Sequence, residues 1–331
     1  MKGLVVGDPH SKVSNTHEID MLGDAIVAEA KRLRADAIFL LGDLSDSFEK
    51  VHILAMYAIC CFFRKLQALD IPIYVLVGNH DMLNNRVFLE EFHALAPFKQ
   101  WKGITIVDKV IVGRNFTLVP YVAPGRFLEA LNTAGDGWKK SKAIFCHQEF
   151  RDAPLGAVLS KVGDVWPAEN PLVISGHIHD ECWLAPNIRY VGEPADSSYG
   201  GKGNRTISLF EFLDNGTFVE TLIDLKLPRK ITLTLGVEDA KVLTMPENTS
   251  VRLNLVGTSE ELTAFKKTKE YAALKAKVKI VPKVLNPASE KKGYGRATYL
   301  DLLARSCVGE SPLVQQAFDE LTQSENNALQ T

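Results

Sequence analysis

Short apolar runs alternate with amphipathic helical patterns through the first part of the chain, and each run ends on polar residues. The segments "GLVVGDPH" (3–10), "ADAIFLLGDLSD" (35–46) and "IYVLVGNHDML" (73–83) are typical of buried strands. Between them, Ile19, Leu22 and Ile26 share one helical face, and an apolar helix is predicted over about 50–69. Asn15 and Glu18 are positioned to form a capping box for the first helix.

This order of strand, helix, strand, helix, strand predicts βαβ units in a largely parallel sheet with right-handed crossovers. Two further strands, "KAIFCHQEF" (142–150) and "PLVISGHIHDE" (171–181), also end on polar residues. Ligands of open α/β sheets gather at the carboxyl ends of the strands. We therefore expect the polar clusters to lie side by side.

The later part of the chain no longer shows the alternation of strands and helices. Short antiparallel strands are predicted over about 187–225, and a domain boundary is placed after residue 227. Residues 228–290 are typical of a small β-α-β domain with one basic helix, and residues 291–331 of a tail with two short amphipathic helices. The expected organisation is therefore a core over 1–227, a cap over 228–290 and a helical tail over 291–331.

Composition narrows the class of protein. The 331 residues are 46% hydrophobic and 24% charged, and the longest apolar run, 53–63, is shorter than the ~20 residues that span a bilayer. No signal peptide is expected at the start of the sequence. The five cysteines form no CxxC pair, which predicts reduced and mostly buried thiols. We expect a cytoplasmic protein, or one of the host cytoplasm if it is encoded by a phage.

Charge is distributed unevenly. The formal net charge is -2, yet residues 228–296 contain 14 Lys and Arg against 7 Asp and Glu, an excess of +7. Such a surplus is what neutralising a nucleic-acid backbone requires, although a solvated lysine-rich helix face remains an equal alternative. The candidate DNA contacts are Lys266, Lys267, Lys269, Lys275, Lys277 and Lys279.

Five motifs at strand ends supply metal-ligand chemistry: Asp8-x-His10, Gly42-Asp43-x-x-Asp46, Gly78-Asn79-His80-Asp81, His147 and Gly176-His177-x-His179. They offer two carboxylates, one amide and four imidazoles: Asp8, His10, Asp43, Asn79, His147, His177 and His179. This mixture of nitrogen and oxygen donors suits Mn, Fe or Zn better than Ca or Mg, and the lack of thiolates argues against a structural zinc. Seven ligands exceed one site, so two divalent ions are expected. Asp43, central in the strand order, is the candidate bridge.

The five motifs together resemble the signature blocks of the calcineurin-like metallophosphoesterase superfamily, over roughly the first 200 residues. The resemblance implies a four-layer α-β-β-α sandwich that binds two ions, Mn²⁺ foremost, with Mg²⁺, Fe or Zn as alternatives. It assigns one ion to Asp8, His10, Asp43 and His179, and the other to Asp43, Asn79, His147 and His177. His80 would be the general acid, with Asp81 orienting its ring, and water activated between the ions would attack phosphorus.

Within the superfamily, the layout is most similar to SbcD-type repair and recombination nucleases and their shorter phage relatives. That similarity implies a DNA nuclease, exo- or endonucleolytic, that acts with an SMC-like ABC ATPase in recombination, repair or replication and forms a homodimer. The tail would dock on the ATPase or cover its own domain. Two departures are Ser45 in place of the usual Phe, and Glu193 in the block "GEP", where Gly-Ser-Pro is more usual.

Three other functions compete with this one. Protein phosphatase is disfavoured because "GDLSDSFE" lacks the Arg-Gly that follows the second Asp in those enzymes. A non-enzymatic scaffold is disfavoured because every ligand position is intact. A stand-alone metallophosphoesterase that hydrolyses small phosphodiesters or nucleotides remains the main alternative.

Overall fold

The computed structural model describes residues 1–48, 50–200 and 203–285. The chain divides into two compact units. The first contains Met1–Thr232 and Thr244–Arg252, and the second contains Leu233–Leu243 and continues from Leu253. The predicted tail over 291–331, and the last residues of the predicted cap, lie outside the described residues.

The strands are β1 (Lys2–Val6), β2 (Ala37–Leu40), β3 (Ile73–Leu76), β4 (Ile104–Val107), β5 (Ile111–Val112), β6 (Phe116–Val119), β7 (Ala143–His147), β8 (Pro154–Leu155), β9 (Val158–Leu159), β10 (Leu172–Gly176), β11 (Cys182–Ala185), β12 (Ile188–Tyr190), β13 (Thr206–Phe212), β14 (Phe218–Asp224), β15 (Arg229–Gly236), β16 (Thr249–Gly257) and β17 (Lys279–Val284). The α-helices are α1 (Thr16–Leu33), α2 (Ile53–Gln67), α3 (Phe127–Asn132), α4 (Val237–Lys241), α5 (Ser259–Phe265) and α6 (Lys269–Lys275). Short 3₁₀ helices cover Val13–Asn15, Asn79–Asp81, Ala96–Gln100 and Asp136–Lys140.

The first unit contains two six-stranded sheets. One has the order β14-β13-β1-β2-β3-β4, and the other the order β11-β12-β10-β7-β6-β5. Strands β1 to β4 are parallel, as are β6, β7, β10 and β12, whereas β13, β14 and β11 pair antiparallel with their neighbours. The predicted parallel units are present, and β13 and β14 are antiparallel as predicted. The prediction is wrong for β12, which pairs parallel with β10 as well as antiparallel with β11.

Three apolar clusters divide the first unit into layers. Alternate residues of β1 show why: Leu4 and Val6 pack with α1 and α2, whereas Val5 lies in the cluster between the sheets. There, Phe39 of β2 stacks on Phe145 of β7 with ring centroids 4.0 Å apart. The far face of the second sheet packs with α3 and Trp138. The predicted four-layer α-β-β-α sandwich is confirmed, and burial on both faces explains why its parallel strands are uniformly apolar.

The later part of the described chain contains a three-stranded sheet in the order β15-β16-β17. Between β16 and β17 the sequence predicts one basic helix, and the structure has two, α5 and α6. Thr268 separates them because its side-chain oxygen accepts the N–H of Tyr271 and so starts a new helix. The six candidate DNA-binding lysines are all exposed.

Some local predictions are wrong. Asn15 makes no cap hydrogen bond to α1; its amide instead accepts the N–H of Lys12 and donates to the carbonyl of His10 at 2.9 Å, which anchors the loop carrying His10. The four described cysteines are free, as predicted, but only Cys146 is buried. Burial raises the pKa of Cys146 to about 12, so its thiol is unreactive. No helix among the described residues has the length and apolar composition needed to cross a membrane.

Candidate metal centre

The five predicted motifs meet at the carboxyl ends of parallel strands from both sheets. Asp8, Asp43 and Asn79 follow β1, β2 and β3 of the first sheet, respectively. In the second sheet, His147 is the last residue of β7 and His177 follows β10. The two strand ends of the second sheet are paired in register, with Gly176 opposite His147. The site is therefore assembled from both sheets.

The backbone around the site is held in uncommon conformations. His10, Asp43 and His177 have φ values of 47°, 51° and 81°, in the left-handed region where a non-glycine residue costs of order 1–3 kcal/mol. Gly42 has φ 109°, and a Cβ there would lie 2.6 Å from Nδ1 of His147. Gly78 has a φ of -88°, which is available to any residue. It is required because a Cβ would collide with Asp43.

Asp43 is shared by two groups of candidate ligands. It lies with His10 and His80 in one group and with His147 and His177 in the other. Its Oδ2 is 3.3 Å from Nε2 of His147 and 3.8 Å from Nε2 of His10. The expectation that Asp43 would lie centrally, between the other strand ends, matches the position of β2 between β1 and β3.

The second group also contains Asn79. Its Oδ1 lies 2.9 Å from Nε2 of His147 and 3.0 Å from Nδ1 of His177, and those two nitrogens are 3.3 Å apart. His147 donates from Nδ1 to the carbonyl of Leu41 at 2.7 Å, which leaves Nε2 to face the group. The Asn79 amide is oriented by its donation to Oδ1 of Asn85 at 3.2 Å.

The remaining predicted ligands border the two groups, His179 beside the first and Asp8 beside the second. Nε2 of His10 lies 3.0 Å from Nε2 of His179, and Nδ1 of His10 is a buried nitrogen without a hydrogen-bond partner among the described residues. Asp8 accepts the backbone N–H of His177 at 3.0 Å, and its Oδ1 is 3.4 Å from Nδ1 of His147. All seven predicted ligands thus belong to one cluster.

The contacts of His80 and Asp81 correct one predicted role. The ring of His80 donates from Nδ1 to the carbonyl of Asp46 at 2.9 Å and stacks on Phe48, with centroids 4.2 Å apart. Asp81 accepts backbone N–H groups of Ser45 at 2.9 Å and Gly78 at 3.0 Å. Asp81 therefore holds the loops that carry Asp43 and Asn79 together, and Asp46 orients His80.

Burial and the charge of nearby carboxylates set the pKa values of the histidines in the cluster. Burial lowers the pKa of His10 to about 3 and also lowers the pKa values of His177 and His179, which keeps these rings neutral. His147 differs: burial lowers its pKa, but Asp43 and Asp8 more than compensate and raise it to about 9. Burial raises the pKa of Asp8.

The donor set fits divalent cations. Ring nitrogens, a neutral amide oxygen and a buried carboxylate face one another at 2.9–3.8 Å, with too few protons to satisfy them all. Two imidazole nitrogens cannot both donate across the 3.0 Å between His10 and His179, whereas a cation would accept both lone pairs. The mixture of nitrogen and oxygen donors suits Mn, Fe or Zn.

Metal binding is expected to release protons at pH 7. His147 is protonated there, and a cation can use its Nε2 only after the proton leaves. The apparent Mn²⁺ affinity should thus rise between pH 7 and 9, about tenfold per pH unit for each proton released. In the metal-free protein, the stability of the fold depends on pH in the opposite direction to metal affinity. The stabilisation contributed by protonated His147 is complete below about pH 6.5 and is lost as the pH rises through about 9.

Calorimetric titration with Mn²⁺ in two buffers of different ionisation enthalpy measures that release directly. Heats that differ between the buffers in proportion to their ionisation enthalpies are expected. Equal heats in both buffers would show that no proton leaves.

Several residues of the site were missed by the sequence analysis. Asp46 and Phe48 hold His80 through contacts that cross between loops. Asn15 and Asn85 hold His10 and Asn79 from 5 and 6 residues further along the chain, and no motif in the sequence indicates these contacts. Arg205 is another such residue: it is 4% exposed, and its Nε donates to Oδ1 of Asp196 at 2.5 Å.

Comparisons with known proteins agree with this geometry. Residues 1–181 match the calcineurin-like phosphoesterase family. The chain is 35% identical over 314 residues to "Putative phosphoesterase 078R" of Invertebrate iridescent virus 3, covering 91% of this chain and 90% of the relative. It is also 35% identical over 282 residues to "Putative phosphoesterase 244L" of Invertebrate iridescent virus 6, covering 81% and 98%. The protein therefore belongs to the calcineurin-like phosphoesterases, hydrolases that use two divalent metal ions.

Proposed function

We propose that the protein is a Mn²⁺-dependent DNA nuclease that cleaves phosphodiesters with two ions sharing Asp43. The observation that carries the hydrolytic part is the presence of Asp43 in both candidate ligand groups. Two bound ions would supply activated water and neutralise charge that develops on the phosphoryl oxygens. One ion is assigned to Asp8, His10, Asp43 and His179, and the other to Asp43, Asn79, His147 and His177.

The chain itself supplies a proton donor. His80 is half-buried, and its Nδ1–H is committed to the carbonyl of Asp46, so Nε2 remains for proton transfer. Stacking on Phe48 keeps the ring in this orientation. The backbone N–H of His80 also donates to Oδ1 of Asp43 at 2.8 Å, which couples the positions of donor and shared ligand. We assign His80 as the general acid for the leaving oxygen.

DNA as substrate is supported by charge. The excess of +7 over residues 228–296 contrasts with an acidic remainder, and the six lysines from Lys266 to Lys279 are solvent-exposed, so they are free to contact phosphates. The same exposure suits a solvated helix face, and the viral relatives are named only as phosphoesterases. The competing function is therefore a phosphoesterase acting on small phosphodiesters or nucleotides.

Two assays distinguish these functions. Purified protein is incubated with Mn²⁺ and end-labelled single- and double-stranded DNA, and separately with bis-p-nitrophenyl phosphate, with and without EDTA. A nuclease degrades both kinds of substrate, and the chelator abolishes both activities. Hydrolysis of the small ester with intact DNA would favour the competing function.

The basic segment is tested by charge reversal. A triple variant with Lys266→Glu, Lys267→Glu and Lys269→Glu is expected to cleave DNA more weakly. The plot of the logarithm of its DNA-binding constant against the logarithm of salt concentration should be shallower, by about 0.9 in slope for each lost phosphate contact. Hydrolysis of bis-p-nitrophenyl phosphate should be unchanged. Lys102→Glu, before the amino end of β4 and so away from the site, is the control. Unaltered DNA cleavage in the triple variant would assign the lysines to a solvated surface.

The partners belong to the same proposal. A homodimer is supported by Ile53, Leu54 and Tyr57, which are 79%, 51% and 64% exposed at the start of α2. Sedimentation velocity of the purified protein tests it, and a monomer at micromolar concentration would contradict it. Docking of an SMC-like ABC ATPase is assigned to the tail, outside the described residues. Co-purification with such an ATPase, compared with a Leu313→Asp variant, tests that assignment.

A further inference from the structure

Two buried carboxylates that are not among the seven predicted ligands lie behind the histidines of the Gly176-His177-x-His179 motif. Oε2 of Glu149 is 3.7 Å from Nε2 of His177, and Oε2 of Glu193 is 3.7 Å from Nδ1 of His179. Glu149 is 9% exposed and Glu193 is 2% exposed. At 3.7 Å each contact is within ion-pair range and beyond ordinary hydrogen-bond length.

Each carboxylate faces the ring nitrogen that points away from the candidate ligand groups. The other nitrogen of His177, Nδ1, is the one that lies 3.0 Å from Oδ1 of Asn79. The other nitrogen of His179, Nε2, is the one that lies 3.0 Å from Nε2 of His10. An acceptor on the outer nitrogen favours the tautomer that leaves the inner nitrogen free for a cation.

Both carboxylates are themselves fixed. Oε1 of Glu149 accepts a short hydrogen bond from Ser160 Oγ, and the same Oγ accepts the N–H of Gly163 at 3.0 Å. Oε1 of Glu193 is 3.1 Å from the guanidinium of Arg205, and its Oε2 accepts the N–H of Ser197 at 3.1 Å. A buried charge without such partners would be strongly destabilising.

Arg205 extends this arrangement on the Glu193 side. Besides Glu193, it donates to the carbonyl of His179 at 3.2 Å and to Asp196. Asp196 in turn accepts the side chain of Arg229 and the backbone N–H of Lys230, both at 2.8 Å. His179 is therefore held from two directions, through its ring by Glu193 and through its backbone by Arg205.

We propose that Glu193 and Glu149 are positioning residues that act on different cation sites. Glu193 orients His179 for the site with Asp8 and His10, and Glu149 orients His177 for the site with Asn79 and His147. Glu193 stands where the serine of Gly-Ser-Pro is more usual in SbcD-type nucleases. The inference rests on the two-ion centre of the proposed function.

The test is Mn²⁺ titration of metal-free Glu193→Gln and Glu149→Gln proteins by calorimetry, with electron paramagnetic resonance of the bound ion as a second readout. Each variant should weaken one of the two binding steps by about 10- to 100-fold and leave the other unchanged. The two variants should affect different steps. Glu193→Asp, which keeps the charge, should recover part of the affinity lost in Glu193→Gln.

A double-mutant cycle assigns each effect to its histidine. In a His179→Asn protein, Glu193→Gln should cause no further loss of Mn²⁺ affinity, whereas Glu149→Gln should still weaken the remaining step. Glu181→Gln is the matched control, because Glu181 also pairs with a buried arginine, Arg189 at 2.7 Å, and is not paired with an imidazole. Its titration should match that of the wild type.

Three results would overturn the inference: unchanged titrations in both variants, equal weakening of both steps by either variant, or a full effect of Glu193→Gln in the His179→Asn protein. The melting temperature of each metal-free variant separates positioning from folding, since a positioning role predicts little change there. Failure of the proposed function has a different signature. Wild-type protein that binds no Mn²⁺ would remove the centre itself, whatever the variants do.

Discussion

An Asp43→Asn protein is expected to lose both metal ions and nearly all hydrolytic activity. Asp43 is the residue common to the two candidate ligand groups. The neutral amide that replaces its carboxylate cannot compensate the charge of two cations. Loss of a residue that only holds a metal ligand in place typically costs about 10- to 100-fold in metal affinity. Loss of a ligand shared by both ions should therefore exceed that range at both sites. Elemental analysis of the purified variant and its turnover of bis-p-nitrophenyl phosphate measure the two losses.

The control for this variant is Asp70→Asn. Asp70 is an exposed aspartate with a φ of 53°, so the same substitution is made in the same left-handed conformation, remote from the cluster. Metal content and turnover should be those of the wild type. Retention of two ions by Asp43→Asn would show that Asp43 is not their shared ligand.

A His80→Asn protein is expected to keep both ions and to lose turnover on DNA by about 10²- to 10⁴-fold, the usual contribution of a general acid. The loss should be much smaller on bis-p-nitrophenyl phosphate, since p-nitrophenolate is a stable leaving group that needs little protonation. This dependence on the leaving group separates proton donation from any structural effect. Single-turnover rates on both substrates, at matched Mn²⁺ occupancy, give the comparison.

The structure also provides the competing role for His80. His80 lies with His10 and Asp43 in one of the two candidate ligand groups, so it has the geometry of a ligand as well as of an acid. If His80→Asn retains only one ion, His80 is a ligand and the assigned role is wrong. His17→Asn, at an exposed position on α1, is the control and should leave metal content and turnover unchanged.

The location of the site could be predicted because the information is local. Each strand that carries a ligand is a short apolar run that ends on Gly, Asp, Asn or His, and parallel strands place such ends at one edge. The same reasoning placed Asp43 between its neighbours. The fold class also followed, because βαβ units with uniformly apolar strands require helices or a second sheet on both faces.

Contacts between loops could not be predicted. Asp81 follows His80 directly, which suggested that its carboxylate orients the neighbouring ring, but it accepts backbone N–H groups of a loop 36 residues earlier. Asn15 precedes a helix and has the residue type of a cap, yet its amide is used by the His10 loop. In both cases a polar side chain had two feasible partners, and the residue types in the sequence do not decide between them.

The centre draws its ligands from both halves of the sandwich, Asp43 from one sheet and His147 and His177 from the other. A cation bound there is therefore a cross-link, and it opposes separation of the sheets by RT ln(1 + [M]/Kd), about 2.7 kcal/mol at 100 times its Kd. Preparations made in chelating buffers should consequently melt earlier and exchange the amide hydrogens of β2 and β7 faster. Metal supply would then govern the lifetime of this protein in a cell as well as its turnover.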